Sequence, residues 1–435
     1  MRLNPFAGLP NSRQVWAWGM YDLANQSFTL LVVTLFLPIY LKQIVLGAAA
    51  PAGHAEALLG WTTAAASLVV VLSNPVLGAL ADFSGKKKLF LTWTGIGCAA
   101  FTVGLAFTEP GNPWPTLGLF ALGSILFMFG ESFLASFLPE ISTRETVGRI
   151  SAIGWTMGYI GALACLPLSL LLPGLSEGTR AGFSNVFLFA GLWFFVNALP
   201  TIFLLNEKKT RETLPPGATI VNIGFHRVAQ TIRNASQHRE LAVFLLFFCV
   251  YCCGMQIIIG FSGLLASQYF TNTQLIVFVL ALAFISAVGS AISGLYQDRI
   301  GQRRTVQISL AIWIATTAAA VFLPTANAAM WHLALVGAGI GLGLGLTGAA
   351  SRALVGVLTP AHKTAEFFSL WGLGYRLAGV IGPPIFGEVT HRYGQPAAMG
   401  VVVAFFIVGF AGTYLVNVEK GRRAAEESER AFASA

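Results

Sequence analysis

The chain has 435 residues, of which 55% are hydrophobic and 10% charged, whereas an ordinary soluble domain carries about 25% Asp, Glu, Lys and Arg. So few charges cannot cover a soluble surface, and apolar runs recurring almost end to end exclude disordered, collagenous and disulfide-scaffold classes, leaving a membrane protein. The formal net charge of +8 would suit nucleic acid, but the basic residues are spread over many short loops and form no single face, so no nucleic acid partner is expected. Twelve apolar runs of about 20 residues, each able to cross about 30 Å of hydrocarbon as a helix, are predicted. They lie at 15–40, 58–80, 89–107, 116–138, 150–172, 183–205, 241–265, 274–296, 306–323, 330–354, 367–389 and 397–416. This gives an N-terminal six-helix half (1–205), a cytoplasmic linker (206–240), a C-terminal six-helix half (241–418) and a cytoplasmic tail (419–435).

In chain order, the first span lacks the charged region and cleavage site of a signal peptide and reads as a retained helix. It carries Asp22, Asn25, Gln26 and Thr29, which share one polar face at i, i+3, i+4 and i+7. After the second span comes a loop with Gly78, Asp82, Gly85, Lys87 and Lys88, and Glu131 lies inside the fourth span. In the linker, Pro215, Pro216 and Gly217 read as loop. Beyond them Phe225, Val228 and Ile232 alternate with Arg227, Arg233 and Arg239, as suits either a helix lying on the membrane surface or a solvated connector.

In the seventh span Gln256 is a polar candidate. The nearby Cys249 and Cys252 form a Cys-x-x-Cys without histidine partners and read as small core residues. The loop after the eighth span holds Gly294, Asp298, Arg299, Gly301, Arg303 and Arg304. Glycines crowd the tenth span from Gly337 to Gly348, allowing close helix approach. The eleventh contains Trp371, Tyr375, Arg376 and Glu388, with Pro383 and Pro384 expected to bend it. Acidic residues after Val418 mark an exposed, mobile tail.

Lys and Arg concentrate in alternate loops, including Lys86 to Lys88, Arg144, Arg149, the linker, Arg299, Arg303, Arg304 and the tail, while the opposite loops hold only Lys42, Arg180 and Arg392. Both termini are therefore expected in the cytoplasm. The two glycine and aspartate loops are separated by 216 positions residue for residue, as are Trp155 and Trp371, Gly158 and Gly374, Tyr159 and Tyr375, and Pro167 and Pro383. Two loci sharing one offset argue for a duplicated six-helix unit in parallel orientation.

The pattern Gly-x-x-x-Asp-x-x-Gly-x-Lys/Arg-Lys/Arg in both loops resembles the signature of the major facilitator superfamily, with Phe83 in the first copy where a basic residue is usual. A narrower resemblance rests on Tyr21-Asp22-Leu23-Ala24-Asn25, Phe36-Leu37-Pro38-Ile39-Tyr40, Phe137-Leu138-Pro139-Glu140-Ile141, Gly148-Arg149-Ile150-Ser151 and Gly154-Trp155. In the second half it continues through Ser351-Arg352-Ala353-Leu354, Ala365-Glu366-Phe367-Phe368 and Gly382-Pro383-Pro384. These motifs resemble the bacterial branch of the autophagy-related vacuolar amino-acid effluxer family. Members often carry an acid in the seventh span beside a Tyr and a Gly, whereas Tyr251-Cys252-Cys253-Gly254 has none. The resemblance implies an all-α membrane fold of twelve helices in two pseudo-twofold halves, with the first, fourth, seventh and tenth around a central cavity.

Ionisable groups inside hydrocarbon cost ~2.5 kcal/mol or more at mid-helix, so Asp22, Glu131, Arg376 and Glu388 are functional candidates by default. Two neighbouring carboxylates cannot both ionise cheaply, and Asp22 with Glu131 is expected to hold a proton that couples to substrate. The alternative is a permanent internal ion pair. An arginine fork such as that of Arg376 can hold a carboxylate bidentately, so a zwitterionic amino acid is the expected substrate, moved by rocker-switch alternating access. Asn25, Gln26, Gln256, Trp371 and Tyr375 complete the expected substrate and proton pathway, and Gly78, Asp82, Gly85, Lys87, Gly294, Asp298, Arg299, Gly301 and Arg303 the gating loops. A drug, sugar or nucleoside transporter and a non-transporting solute sensor remain as alternatives. Gly-x-Ser-x-Gly, His-Glu-x-x-His and phosphate-loop patterns are missing. No enzyme activity, catalytic residue, metal or cofactor is expected, and the chain is read as a monomer in a bacterial inner membrane.

Overall fold

The computed structural model describes residues 6, 9, 11–143, 146–207, 219–322, 330–360 and 363–434. Pro215, Pro216, Gly217 and Arg144 lie outside the described residues, as do the side chains of Asp82 and Asp298. The described chain is all-helical. We number the helices α1 Ser12–Val45, α2 His54–Ser84, α3 Lys87–Leu105, α4 Pro113–Ser136, α5 Val147–Ser169, α6 Arg180–Leu204, α7 Ile220–Gln237 and α8 Arg239–Ala266. There follow α9 Asn272–Ile300, α10 Gln302–Val321, α11 Met330–Leu358, α12 Thr364–Tyr393, α13 Gln395–Thr413 and α14 Val418–Ser434.

Among the described residues eleven helices are long and apolar enough to cross a membrane. The run expected as the eleventh span forms α12 but falls outside that set. Its Glu366, Arg376, Glu388, His391 and Arg392 dilute its apolar character. The tail also differs from expectation. Residues read as mobile form α14, where Glu419 pairs with Arg422 and Arg423 and Arg422 with Glu426 at helical spacing. Gly421 seats this helix against Leu358 and Glu240, and the Glu240 carboxylate accepts the Asn417 N–H at 2.6 Å just before it.

Local chemistry sets several boundaries. Asn112 accepts the Trp114 N–H at 3.1 Å ahead of Pro113, a capping side chain followed by a residue with no N–H to satisfy. Thr179 caps α6 through the Gly182 N–H at 3.2 Å. Gly85 and Gly301, equivalent in the repeat, both have positive φ, 60° and 89°, a conformation that favours glycine. The signature motif is thus mostly helical: Gly78 and Asp82 lie in α2 and Gly294 and Asp298 in α9, and each turn narrows to the residues around its last glycine. Within α1 the backbone widens to π-helix over Ser27–Phe36. The Ser27 hydroxyl shares its proton between the Ala24 carbonyl of its own helix and the Ala190 carbonyl of α6, competing for an α1 acceptor, and Pro38 beyond it contributes no N–H.

The chain forms two compact units. Unit 1 comprises Met1–Ala50, Leu68–Phe225 and Phe261–Leu280, and unit 2 comprises Pro51–Ser67, His226–Gly260 and Ala281–Ala435. In unit 1, α1 packs on α5 and α6, and α3 on α4 and α6. Glycines make these approaches close: Gly161 of α5 abuts the Leu23 carbonyl, and Gly191 of α6 lies over Ala99. In unit 2, α10 packs on α11 and α13. Gly343 leaves room for buried Trp313, whose indole N–H donates to Thr347 Oγ1 at 3.1 Å and stacks its ring on Phe406.

Unit 2 also takes in the beginning of α2. Gly60 lies on the Pro383 carbonyl and Gly387 on that of Glu56, so backbones pack directly on one another. The segment of unit 1 drawn from the second half, Phe261–Leu280, is held by the Asn272 amide donating to the Leu175 carbonyl at 2.9 Å.

Candidate functional site

In unit 1 the polar face of α1 meets α4 and α5. Asn25, 3% exposed, donates through Nδ2 to Glu131 Oε1. Asp22, one turn earlier on the same face, lies close enough for its carboxylate and that of Glu131 to interact electrostatically. Trp18, another turn back, donates its indole N–H to the Leu134 carbonyl at 2.8 Å and fixes α1 against α4. On the other side Gly154 and Gly158 of α5 make space. A Cβ on Gly154 would stand 2.6 Å from Asp22 Oδ2 and 2.5 Å from the Trp18 ring, while one on Gly158 would stand 3.2 Å from Gln26 Nε2. Asn25 and Glu131 are therefore hydrogen-bonded, with Asp22 and Gln26 on the adjoining α1 surface facing Gly154 and Gly158 of α5. Trp18 joins them unannounced, beside Gly154. The signals for Gly154 are the Gly154-Trp155 motif and its Gly-x-x-x-Gly spacing with Gly158, which marks a close approach without naming what occupies the space.

The group is rich in acceptors: two carboxylates and an amide whose Oδ1 is buried without a hydrogen-bond partner among the described residues. Burying an acceptor unsatisfied costs roughly 1–3 kcal/mol, so this arrangement suits a cationic or donor-bearing species, a proton or an ammonium group.

In unit 2, Gln256 of α8 donates through Nε2 to the Tyr375 carbonyl of α12 at 3.1 Å, so its amide serves first as an interhelical tie. Trp371 lies by Phe248 and Phe368, with ring centroids 5.4 and 6.3 Å away, and its indole N–H is buried without a partner. Arg376, half-buried, follows Tyr375 on the same helix. The repeat mates do not share this environment: Trp155 is 61% exposed and Tyr159 half-buried. Arg352, half-buried inside α11, is a further intramembrane cation that sequence reasoning passes over because it lies near the predicted end of its span. Glu388 is accounted for structurally: its two oxygens accept from Trp61 Nε1 at 2.8 Å and Arg392 Nε at 3.1 Å.

The two expected gating loops are braced differently. In unit 1 the Glu207 carboxylate accepts the backbone N–H groups of Lys87 at 2.7 Å and Lys88 at 3.2 Å, capping α3, and Lys87 Nζ lies 3.4 Å from Glu140. In unit 2, Arg303, the repeat mate of Lys87, donates to the Val416 carbonyl at 2.9 Å and lies 5.9 Å from the centre of the Tyr414 ring, while Arg299 is exposed. Here the start of α10 opens on a cavity of about 300 Å³ lined by residues 300–304 and 417–419. Among the described residues no group of three His, Cys, Asp or Glu side chains is placed to hold a metal.

Comparison with known proteins agrees with this architecture. A protein of Bacillus subtilis (strain 168) described as an uncharacterized MFS-type transporter, YxiO, is 26% identical over 405 residues, covering 92% of this chain and 93% of that protein. Autophagy-related protein 22 of Kluyveromyces lactis is 21% identical over 392 residues, covering 83% and 79% respectively. Autophagy-related protein 22-1 of Penicillium rubens is 26% identical over 301 residues, but this chain covers only 50% of its length.

Among solved structures, a bacterial homolog of the human lysosomal transporter Spinster superposes with a TM-score of 0.70 at 12% identity, covering 95% of this chain and 97% of that one. The nucleoside transporter NupG does so with 0.65 at 14% identity, covering 94% and 98%. These structures establish the major facilitator fold. The family described as "Vacuole effluxer Atg22 like" matches residues 140–426. The chain belongs to that family, and it is an integral membrane transporter of the major facilitator type, not an enzyme.

Proposed function

We propose that this transporter moves a small zwitterionic solute, an amino acid, by proton-coupled alternating access between two six-helix halves. The observation that carries the reading is the buried Asn25–Glu131 hydrogen bond, with Asp22 one turn earlier on the same face of α1. Two acids sharing a low-dielectric site favour a state with one proton bound. An ammonium group arriving at Asp22 and the orphaned Asn25 Oδ1 would replace that proton's charge, so solute and proton compete for one set of acceptors. The carboxylate of a zwitterion calls for donors, and unit 2, taken by itself, offers that chemistry in Arg376 and in the Trp371 N–H, which is buried without a partner among the described residues. In this reading Gln256 and Tyr375 hold the donor helix in place, and the signature loops latch and release as the halves rock. The concentration of Lys and Arg in alternate loops supports a reading in which the chain lies in a bacterial inner membrane with both termini on the cytoplasmic side, and in this reading it works as a monomer.

The test is flux in proteoliposomes under an imposed pH gradient, with labelled amino acids, sugars and nucleosides compared. Amino acid flux driven by the gradient is expected, with coupling lost in Asp22→Asn or Glu131→Gln and amino acid discrimination lost in Arg376→Lys. Undiminished coupling in both acid variants would remove the proton reading. Flux of a sugar or nucleoside alone would replace the substrate, and saturable binding without counterflow would make the protein a sensor.

A further inference from the structure

The helix α7, Ile220–Gln237, plays no part in the transport site, yet it carries an unusual surface. At about 100° per residue, Val221, Ile232 and Phe225 fall within about 40° of one another, and each is about half exposed. To one side of this stripe Gly224 is buried with its Cα over the backbone of Pro75, where a Cβ would stand 2.6 Å from the carbonyl oxygen, so α7 is already seated on α2 through a different face. On the opposite arc are exposed His226, Gln230 and Arg233. The helix therefore has a protein face, an apolar face that no protein neighbour covers among the described residues, and a polar face.

Charge and attachment decide what covers the apolar face. The helix contains Arg227 and Arg233 and no acidic residue, and 207–240 as a whole holds six Lys and Arg against three Glu. One residue separates its end from Arg239, where the spanning helix α8 begins, so the stripe is tethered at the bilayer surface. An apolar stripe with basic flanks at that level is the form of a helix that lies in the headgroup region and is drawn to anionic lipid.

We propose that the Val221, Phe225 and Ile232 stripe is a docking surface for anionic phospholipid, with the exposed Arg233 and Arg239 meeting the headgroup charge. The boundary between the two compact units falls inside this helix, between Phe225 and His226, so lipid engagement acts on a segment that belongs to both.

The experiment is hydrogen exchange of the full-length protein in nanodiscs of phosphatidylcholine with and without phosphatidylglycerol. Peptides spanning 220–237 are expected to exchange several-fold more slowly when phosphatidylglycerol is present. High salt should reverse this protection, since it screens exposed charges, and Phe225→Ser with Ile232→Ser should abolish it, while the spanning helices stay unchanged. Arg233→Gln, which leaves the apolar stripe intact, should weaken it in part. Equal exchange in both lipids would overturn the proposal, whether the helix is protected by the protein alone or by nothing. Protection in detergent on adding a cell extract, with none from lipid, would assign the stripe to a protein partner and overturn it equally. Because the readout is exchange and not flux, the result is independent of the proposed substrate.

Discussion

Replacing Gly154 by alanine brings one methyl group into the space that Asp22 and Trp18 share. The new Cβ would stand 2.6 Å from Asp22 Oδ2 and 2.5 and 2.7 Å from two Trp18 ring carbons, about 0.8 Å or more inside ordinary contact. Both neighbours must move, and moving Trp18 strains its 2.8 Å bond to the Leu134 carbonyl. Overpacking of this kind costs about 1–3 kcal/mol, which corresponds to roughly 5- to 150-fold if it falls on the working state of the site. Gly158→Ala is the control, since its nearest contact is the flexible end of Gln26 at 3.2 Å. Gly161→Ala is the opposite control, because its Cβ would strike the Leu23 backbone, which cannot swing away. Flux in proteoliposomes and thermal unfolding, measured together, separate the three. Gly154→Ala should lose coupled flux by the factor above while remaining folded, Gly158→Ala should stay near the parent in both, and Gly161→Ala should fail mainly in stability. Full flux in Gly154→Ala, or a larger loss in Gly158→Ala, would refute the placement of Asp22 against α5.

Glu207→Gln removes the charge that caps α3 and one of the two carboxylate acceptors, and is expected to cost about 1 kcal/mol. An unchanged unfolding midpoint would show that the cap contributes nothing. In α14 the hydrogen bond from Arg423, followed by the charge of Arg422, holds the Glu419 carboxyl below the ordinary 4.5. A depressed carboxyl stabilises the folded form above its unfolded pKa and loses that contribution as pH falls through the folded value. Order in 418–434, read by hydrogen exchange, should therefore hold above pH 4.5 and decline below it, and Glu419→Gln should flatten that dependence.

The all-helical, apolar character of the chain is legible in the sequence because it depends on local pattern. Gly85 and Gly301 are equivalent by offset and both take the left-handed conformation the turn demands. Asp22 and Asn25 share a face by helical spacing alone, and the rarity of charge in apolar runs marks Glu131. What sequence could not supply is the identity of distant neighbours. Arg392 lies at i+4 from Glu388 and can be read from spacing, but Trp61, 327 residues away, cannot. Gly154 is visible as a small residue, yet nothing in its neighbours in sequence says that it yields to a carboxylate and an indole. The tail is exposed as its acidic residues suggest, and its helical form follows from their i+3 and i+4 arginine partners.

The wide turns of α1 between Ser27 and Phe36 lie between the carboxylate end of that helix and Pro38. An i→i+5 ladder packs more residues into each turn than an i→i+4 ladder, so this stretch holds slack in both length and rotation. Tightening it by even one residue would lengthen the helix and turn Asp22 relative to the far end, as a screw advances when its pitch changes. On the proposed reading of Asp22 as a proton-coupling acid, such a thread would reorient it without tilting the whole helix.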